Sequence, residues 1–453
     1  MNLRQAAYFA LCGLRGQALG TCYKRILRED QEGIPPDTTK KLLVQLLTHC
    51  KQSVPYYARV MHNMGDSFYE NPKEYLRRFP ILTKDILRNR FDDLKSTDLT
   101  RRKWYFSASG GSTGEPVKFI QDWESAARSG AVSLLYSKLA GREIGESEVN
   151  LWGSARDITE STEHWRARFI NKLSNTIILN TFYMTPSRMR EFIRILNATR
   201  PKLITAYAES IYELARFAER EGLEVAPQAA IISSAGTLYP SMREKIEQVF
   251  QCRVFNRYGS REVGDIACER PGCEGLWVAP WGHYVEIVDS AGNRVPDDTE
   301  GEILVTCLTN YAMPFIRYKI GDLGIWADQT CQPGRKGPLL KNISGRLTDC
   351  FFKKDGSIIT PEFFIHMVGV VLNTGWIRKY QVIQEAHDLV HVVIALADPV
   401  DSPDEHFKQE LLEISRVIRL VMGQDCRAEY TFVTDIPPTP SGKFRYTISR
   451  VTR

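Results

Sequence analysis

The sequence predicts an α/β protein: a large N-terminal body with doubly wound, mostly parallel sheets plus a β-rich subdomain, then a small α+β C-terminal domain. Three observations lead there. Between about residues 100 and 260, β-like apolar runs alternate with amphipathic helical stretches, the pattern of βαβ units. After residue 275, short strands follow one another between Gly, Asn and Asp turns. From about residue 350 a tail carries one clear strand and one helix of its own. A chain of 453 residues is expected to hold two or three such domains.

The elements follow in order. Ala6 to Leu19 is an apolar start interrupted by Arg15, without a clear cleavage site, and it suits an N-terminal helix better than a signal peptide. From Pro36 to about Asn63, Leu42, Leu43, Leu46, Leu47 and Cys50 recur at three- and four-residue steps, predicting helix. Thr83 is placed to cap a helix over Lys84–Phe91, so residues 1–100 read as a mostly helical lead-in. Strands are expected at Lys118–Ile120, Val149–Trp152, Thr176–Leu179, Lys202–Ala206, Ala229–Ser233 and Arg253–Asn256. Helices fill the gaps at Ser187–Thr199, Ser210–Glu221 and Tyr239–Phe250. The β-rich stretch, residues 275–344, holds Tyr284–Val288, Gly301–Cys307 and Leu323–Trp326. In the tail, Leu389–Leu396 reads as a strand and Asp404–Met422 as a helix.

Composition excludes several classes. Hydrophobic residues make up 43% and charged residues 25%, which rules out a disordered, collagenous or coiled-coil chain. The 59 Lys and Arg against 54 Asp and Glu leave a net charge of +5, too small and evenly spread to point to nucleic acid. No apolar run approaches the roughly 20 residues that span a bilayer. Ten cysteines in a chain this long make no disulfide framework, so a cytoplasmic protein with reduced thiols or metal ligands is expected.

The most conspicuous motif runs from Ser107 to Pro116. Gly110, Gly111 and Gly114 let the backbone fold tightly, and Ser109, Ser112 and Thr113 add hydroxyl donors, a combination suited to phosphate oxygens. The same residues fit Gly-x-Ser-x-Gly, the nucleophile elbow of a serine hydrolase with Ser112 as nucleophile. That elbow needs a helix directly after the serine, whereas Pro116 and the β-prone Val117–Ile120 follow. A second cluster, Tyr258-Gly259-Ser260-Arg261-Glu262, sits at the carboxyl end of a predicted strand, where doubly wound sheets bind ligands. Glu262 suits Mg²⁺ and Tyr258 suits stacking on a planar base. Asp322 follows the turn glycine of Tyr318-Lys319-Ile320-Gly321-Asp322 and suits ribose hydroxyls. Gly345-Arg346-Leu347-Thr348-Asp349 lies where the β-rich part gives way to the tail, and Ser441-Gly442-Lys443 ends the last loop with a point charge fit for a phosphate.

Taken together and in this order, these segments resemble the adenylate-forming superfamily, in the branch of phenylacetate–CoA ligases and capsular-polysaccharide-associated adenylating proteins. Ser109–Pro116 is similar to its Thr-Ser-Gly-Ser/Thr-Thr-Gly-x-Pro loop, Tyr258–Glu262 to Tyr-Gly-x-x-Glu, and Tyr318–Asp322 to Tyr-Arg-x-Gly-Asp. Gly345–Asp349 resembles the hinge and Pro438–Lys443 the terminal catalytic-lysine loop; Val54–Tyr57 and Pro80–Asp85 resemble this branch in particular. The chain departs from the pattern at Gly110, Lys319, Thr348 and Gly236, the last standing where many relatives have a glutamate near the adenine.

The resemblance implies a two-step reaction. ATP and a carboxylic acid give an acyl-adenylate and pyrophosphate; the acyl group then passes to CoA, an amine or a carrier protein. Ser109, Gly110, Gly111, Ser112, Thr113 and Gly114 would cradle the phosphates, with Glu262 and Thr113 on Mg²⁺. Ala235 and Tyr258 would contact the adenine, Gly259 and Ser260 would also bind ATP, and Asp322 and Arg346 would hold the ribose. Lys443 and Glu262 would be catalytic, and the tail would be mobile, rotating about Asp349. The implied division is a body of residues 1–344 and a C-terminal domain of residues 345–453. A non-catalytic nucleotide-binding protein is the remaining alternative. Cys268 and Cys273 have four residues between them, a spacing within the zinc range, and with Cys331 they resemble a structural Zn²⁺ site whose fourth ligand would be Cys307, His283 or water. Tyr207, Trp152 and Trp281 are candidates to line a pocket for an aryl acid.

Overall fold

The computed structural model describes residues 2–108, 117–152, 164–181, 184–327, 337–346, 349–355, 358–359, 361–368, 376–396, 405–437 and 444–451. Its lead-in is helical. Leu3–Leu14 is capped by Asn2, whose side chain accepts from the Gln5 N–H, and Leu19–Glu32 follows. The leucine repeat then builds Thr38–Ser53, which buries Leu43, Leu46, Leu47 and Cys50 on one face. Val54 is extended because Pro55 follows it, so a new helix, Pro55–Met61, starts at the proline. Thr83 caps Lys84–Asn89 through its hydroxyl, 3.3 Å from the Ile86 N–H. That helix stops two residues before Phe91, where a separate turn, Phe91–Leu94, begins.

Strands β1 (Trp104–Ala108) and β2 (Lys118–Asp122) pair antiparallel, with Ala108 opposite Lys118. An eleven-stranded sheet holds the rest of the body. Its parallel half consists of β3 (Glu148–Trp152), β4 (Thr176–Asn180), β5 (Leu203–Tyr207), β6 (Ile231–Ser234) and the start of β7 (Val254–Ser260). Helices Pro186–Thr199, Ala208–Arg220 and Pro240–Phe250 cross between them and share their core.

The sheet does not end where the βαβ pattern ends. At β7 it turns antiparallel through β8 (Gly264–Glu269) and β9 (Leu276–Val278). Strands β10 (His283–Val288), β11 (Glu300–Cys307), β12 (Tyr318–Trp326) and β13 (Leu339–Arg346) complete it, in the order 10-11-12-13-9-8-7-6-5-3-4. The β-rich stretch is thus the antiparallel continuation of the doubly wound sheet. β7 belongs to both halves, which puts the loop after it at the change of strand direction.

Two lead-in segments hold the antiparallel half in place. The Tyr57 hydroxyl donates to Pro314 O at 3.1 Å and accepts from the Ile316 N–H at 3.2 Å. Leu82 bonds in both directions with the strand that carries Asp322, through Arg317 O and the Lys319 N–H. Arg317 is buried, takes a left-handed φ of 49°, donates to Arg77 O, Phe79 O and Gly292 O, and pairs with Glu286.

The C-terminal domain has its own sheet and core. A short ladder joins β14 (Phe351–Phe352) to β15 (Ile358–Ile359). The four-stranded sheet consists of β16 (Ile377–Ala386), β17 (Leu389–Leu396), β18 (Arg427–Val433) and β19 (Thr447–Ser449), in the order 18-17-16-19. Helix Glu405–Met422 packs Ile414, Ile418 and Met422 with Val382, Val392 and Ile394 of that sheet.

Candidate active site

The site is built at the point where strand direction changes. β6 ends at Ser234, and the chain turns through Ala235, a non-glycine residue at φ +67°, and Gly236. Non-glycine residues held in the left-handed region concentrate at ligand sites. Next to this turn, β7 runs into β8 through a tight hairpin with a register shift between Tyr258 and Gly259. Only glycine fits there: a Cβ on Gly259 would stand 2.5 Å from Gly264 O and 2.9 Å from Asp265 Cα. Gly264 itself has a φ of +83°.

A cleft of about 970 Å³, open to solvent, has Ala235, Gly236, Tyr258, Gly259, Asp322 and Asp349 among its walls. Tyr258 Oη donates to Asp322 Oδ2 at 2.8 Å, joining two motifs 64 residues apart in sequence. Asp322 stands opposite Arg346 in the β12–β13 ladder, so the proposed ribose pair shares one rung. The far wall comes from the C-terminal domain: Phe444, Arg445, Tyr446 and Thr447, the residues immediately after Lys443, face the same cleft. Arg445 pairs with Asp349.

Glu262 and Ser260 lie on the other side of the hairpin. They line an adjoining cavity of about 660 Å³ together with Tyr105, Gln121, Ser125 and Cys307. Glu262 is 8% exposed, with Tyr318 Oη at a long 3.5 Å from its Oε1. Gln121 Nε2, from the strand that follows the glycine-rich segment, donates to Arg261 O at 3.1 Å, which fixes the β1–β2 hairpin to the Glu262 turn. Residues 109–114, Lys443 and Cys331 lie outside the described residues. Strand β2, not a helix, follows the glycine-rich segment, which removes the geometric basis for Ser112 as a hydrolase nucleophile.

Cys268 is 1% exposed within the core cluster around Trp277, and burial holds its thiol well above the ordinary range. Cys273 is joined in a disulfide. Among the described residues no group of three or more His, Cys, Asp or Glu is placed to hold a metal ion. His283 and Cys307 do face each other across the β10–β11 ladder. Burial works against the Cys307 thiolate, yet His283 and Thr309 together hold the thiol below its usual value. Trp281 is core, packed on Trp277 at 5.8 Å and bonded to Glu29. Trp152 and Tyr207 do meet, 4.1 Å between ring centroids, at the carboxyl ends of β3 and β5.

Sequence reasoning missed Glu209, Thr237, Tyr239, Asn256, Arg257 and Arg445 as cleft residues. Asn256 and Arg257 precede Tyr258 directly, and Arg445 is two residues past Lys443, so adjacency to a motif was the available signal. For Glu209 the sequence held none.

Residues 351–450 match the CapK C-terminal domain family. Protein CapK of Staphylococcus aureus is 24% identical over 413 residues, covering 90% of this chain and 87% of that protein. The phenylacetate-coenzyme A ligase of Thermus thermophilus is 24% identical over 435 residues, covering 89% and 94%. The solved structure of 2-hydroxyisobutyryl-CoA ligase in the postadenylation state, in complex with 2-HIB-AMP, superposes with a TM-score of 0.68 at 19% identity over 91% of this chain and 88% of that one. The fold is that of an adenylate-forming ligase. The same ligase in its thioesterification state, with CoA, gives a TM-score of 0.56 over 92% and 90%.

Proposed function

We propose that this chain activates a carboxylic acid with ATP as an acyl-adenylate, releases pyrophosphate, and then passes the acyl group to CoA. The observation that carries this reading is the cleft itself. One space is walled by the Tyr258–Asp322 pair, the Ala235 turn and the residues that follow Lys443.

The body is residues 1–344 and the moving domain residues 345–453, with Asp349 as the pivot. Asp322 accepts hydrogen bonds from the ribose hydroxyls, and its bond to Tyr258 holds the phenol ring beside the base. Arg346, on the same rung, serves the ribose too. The segment 109–114 and Gly259–Ser260 direct N–H and hydroxyl donors at the phosphates. A buried carboxylate such as Glu262 fits a hard divalent cation, and Mg²⁺ held there would neutralise phosphate charge. An oxygen of the substrate carboxylate attacks the α-phosphorus, the bond to the bridging β-phosphate oxygen breaks, and pyrophosphate leaves. Lys443 places its ammonium between the carboxylate and the α-phosphate, where charge accumulates. In the second step the CoA sulfur attacks the acyl carbon and AMP departs. Positioning and electrostatics do the chemistry, with no protein nucleophile.

The test is AMP and pyrophosphate release with aryl, fatty, amino and hydroxy acids, each with and without CoA. One acid is expected to release both, with an acyl-CoA thioester formed when CoA is present. Adenylation with transfer only to an amine or a carrier protein would replace CoA as the acceptor. Nucleotide binding without pyrophosphate release from any acid would contradict the reading.

A further inference from the structure

Helix Leu3–Leu14 is held on one side. Asn2 caps it and donates to Ile144 O at 3.1 Å, Phe9 packs on Tyr23 at 5.6 Å, and Gln5 and Cys12 are buried. The opposite side faces solvent and is apolar. Leu3 is 90% exposed and Leu14 88%, with Ala7 and Ala10 exposed between them. Positions 3, 7, 10 and 14 fall on one stripe of an α-helix, and Arg4 and Arg15, also exposed, fall together along its flank. A single exposed leucine is ordinary; an apolar stripe edged by cations on a well-anchored helix marks a contact surface.

Charge singles out this surface. Residues 1–28 contain five basic residues, Arg4, Arg15, Lys24, Arg25 and Arg28, and no acid, so they carry the whole net charge of +5. The remainder of the chain is neutral. The positive balance, small over the whole molecule, is thus concentrated on its first two helices. Among the described residues, only Arg25 of the five pairs with a carboxylate, Glu29, at a long 3.9 Å. Helix His164–Ser174, packed against the first helix, adds exposed Arg168, Phe169 and Lys172, again with no acid. Leu412 and Leu420, also strongly exposed, stand instead among Glu413, Arg416 and Arg419, a mixture of signs.

We propose that helix Leu3–Leu14 seats the protein on an anionic lipid bilayer. Leu3 and Leu14 enter the boundary between headgroups and acyl chains, and the basic side chains beside them meet the lipid phosphates. Among the described residues no helix is long and apolar enough to cross a membrane, so the helix lies on the surface. A nucleic acid would satisfy the cations and leave the leucines in water. A second copy of the chain would cover the leucines but bring two basic surfaces face to face, and like charges oppose that. An anionic bilayer satisfies both features at once.

The experiment is co-sedimentation of the full chain with vesicles of phosphatidylcholine alone and of phosphatidylcholine mixed with phosphatidylglycerol, at low and at high salt. The parent chain is expected to bind the phosphatidylglycerol vesicles about tenfold or more tightly than the neutral ones, and less well as salt rises. Leu3→Glu/Leu14→Glu should lower that binding at least about tenfold, since both side chains leave water only in the bilayer. Its melting temperature should match the parent's, because neither leucine packs on the protein. Arg4→Gln/Arg15→Gln should weaken binding to the phosphatidylglycerol vesicles about fivefold or more and leave binding to neutral vesicles unchanged. Leu412→Glu/Leu420→Glu should bind as the parent does. No binding of the parent to phosphatidylglycerol vesicles at low salt, or equal binding by the parent and Leu3→Glu/Leu14→Glu, overturns the proposal. Self-association of the parent that Leu3→Glu/Leu14→Glu abolishes, without vesicle binding, would also overturn it and give this face to a second copy.

Discussion

Asp122 shows how much of the site depends on single buried polar residues. It caps helix Trp123–Leu139 through the Ser125 N–H at 2.6 Å, and its other oxygen accepts from the Tyr311 and Ala312 N–H groups at 3.0 and 3.2 Å. Asn310 completes the joint by donating to Ile120 O and Met313 O at 2.8 and 3.0 Å. The end of β2 is thereby fixed to the loop before β12. Asp122→Ala leaves three N–H groups to find new partners, and urea unfolding should show a loss of about 3 kcal/mol. Nearby, two hydrogen bonds from Arg102 hold the Asp98 carboxyl down at about 2. A carboxylate depressed in the folded state stabilises above its unfolded value near 3.9 and loses that contribution as pH falls toward about 2. Asp98→Asn should therefore narrow its stability gap to the parent chain across that window, as read by thermal unfolding at pH 4 and pH 2.5. At the cleft, Tyr258→Phe removes the hydrogen bond to Asp322 Oδ2 and with it one restraint on the ring. The Michaelis constant for ATP is expected to rise about tenfold, with unchanged thermal stability.

At the scale of elements, sequence patterns gave the strands and helices well wherever one face was apolar. Leu389–Leu396 coincides with its strand, and the reading Asp404–Met422 covers the helix described over Glu405–Met422. The misses have local causes. The long stretch from Pro36 to Asn63 divides at Val54 because a residue before proline resists helical geometry. The β-rich segment could not be read as part of the main sheet, since periodicity reports the faces of a strand and not its neighbours. The cleft was legible where a motif requires a special backbone, as at Gly259, and illegible at Glu209, which reaches the cleft only through the packing of its helix. Gly259→Ala would force its Cβ onto the Gly264 and Asp265 backbone, and both ATP affinity and melting temperature should drop. Arg216→Ala removes both of that side chain's bonds to the C-terminal domain. Limited proteolysis at the junction near residue 350 should then proceed faster, while the core of the body melts as before.

For the whole molecule, the central relationship in the proposed mechanism is between a body that would bind the nucleotide and a smaller domain that would bring Lys443 to it. Two interdomain contacts favour the arrangement seen here: Arg216 on the C-terminal strand β16, and the wall of the cleft formed by Phe444 to Thr447. In the proposed two-step reaction, transfer of the acyl group would require these contacts to part. The resemblance read from motif order foresaw the class of enzyme. Which acid is taken depends on the shape of the cavity that receives it, and no motif encodes that shape. The most direct test of the account is acid-dependent exchange of labelled pyrophosphate into ATP, in the parent chain and in Lys443→Ala. Exchange that needs the acid and falls at least a thousandfold in the variant is the expected result. Near-normal exchange in Lys443→Ala, or exchange that takes place without any acid, would contradict it.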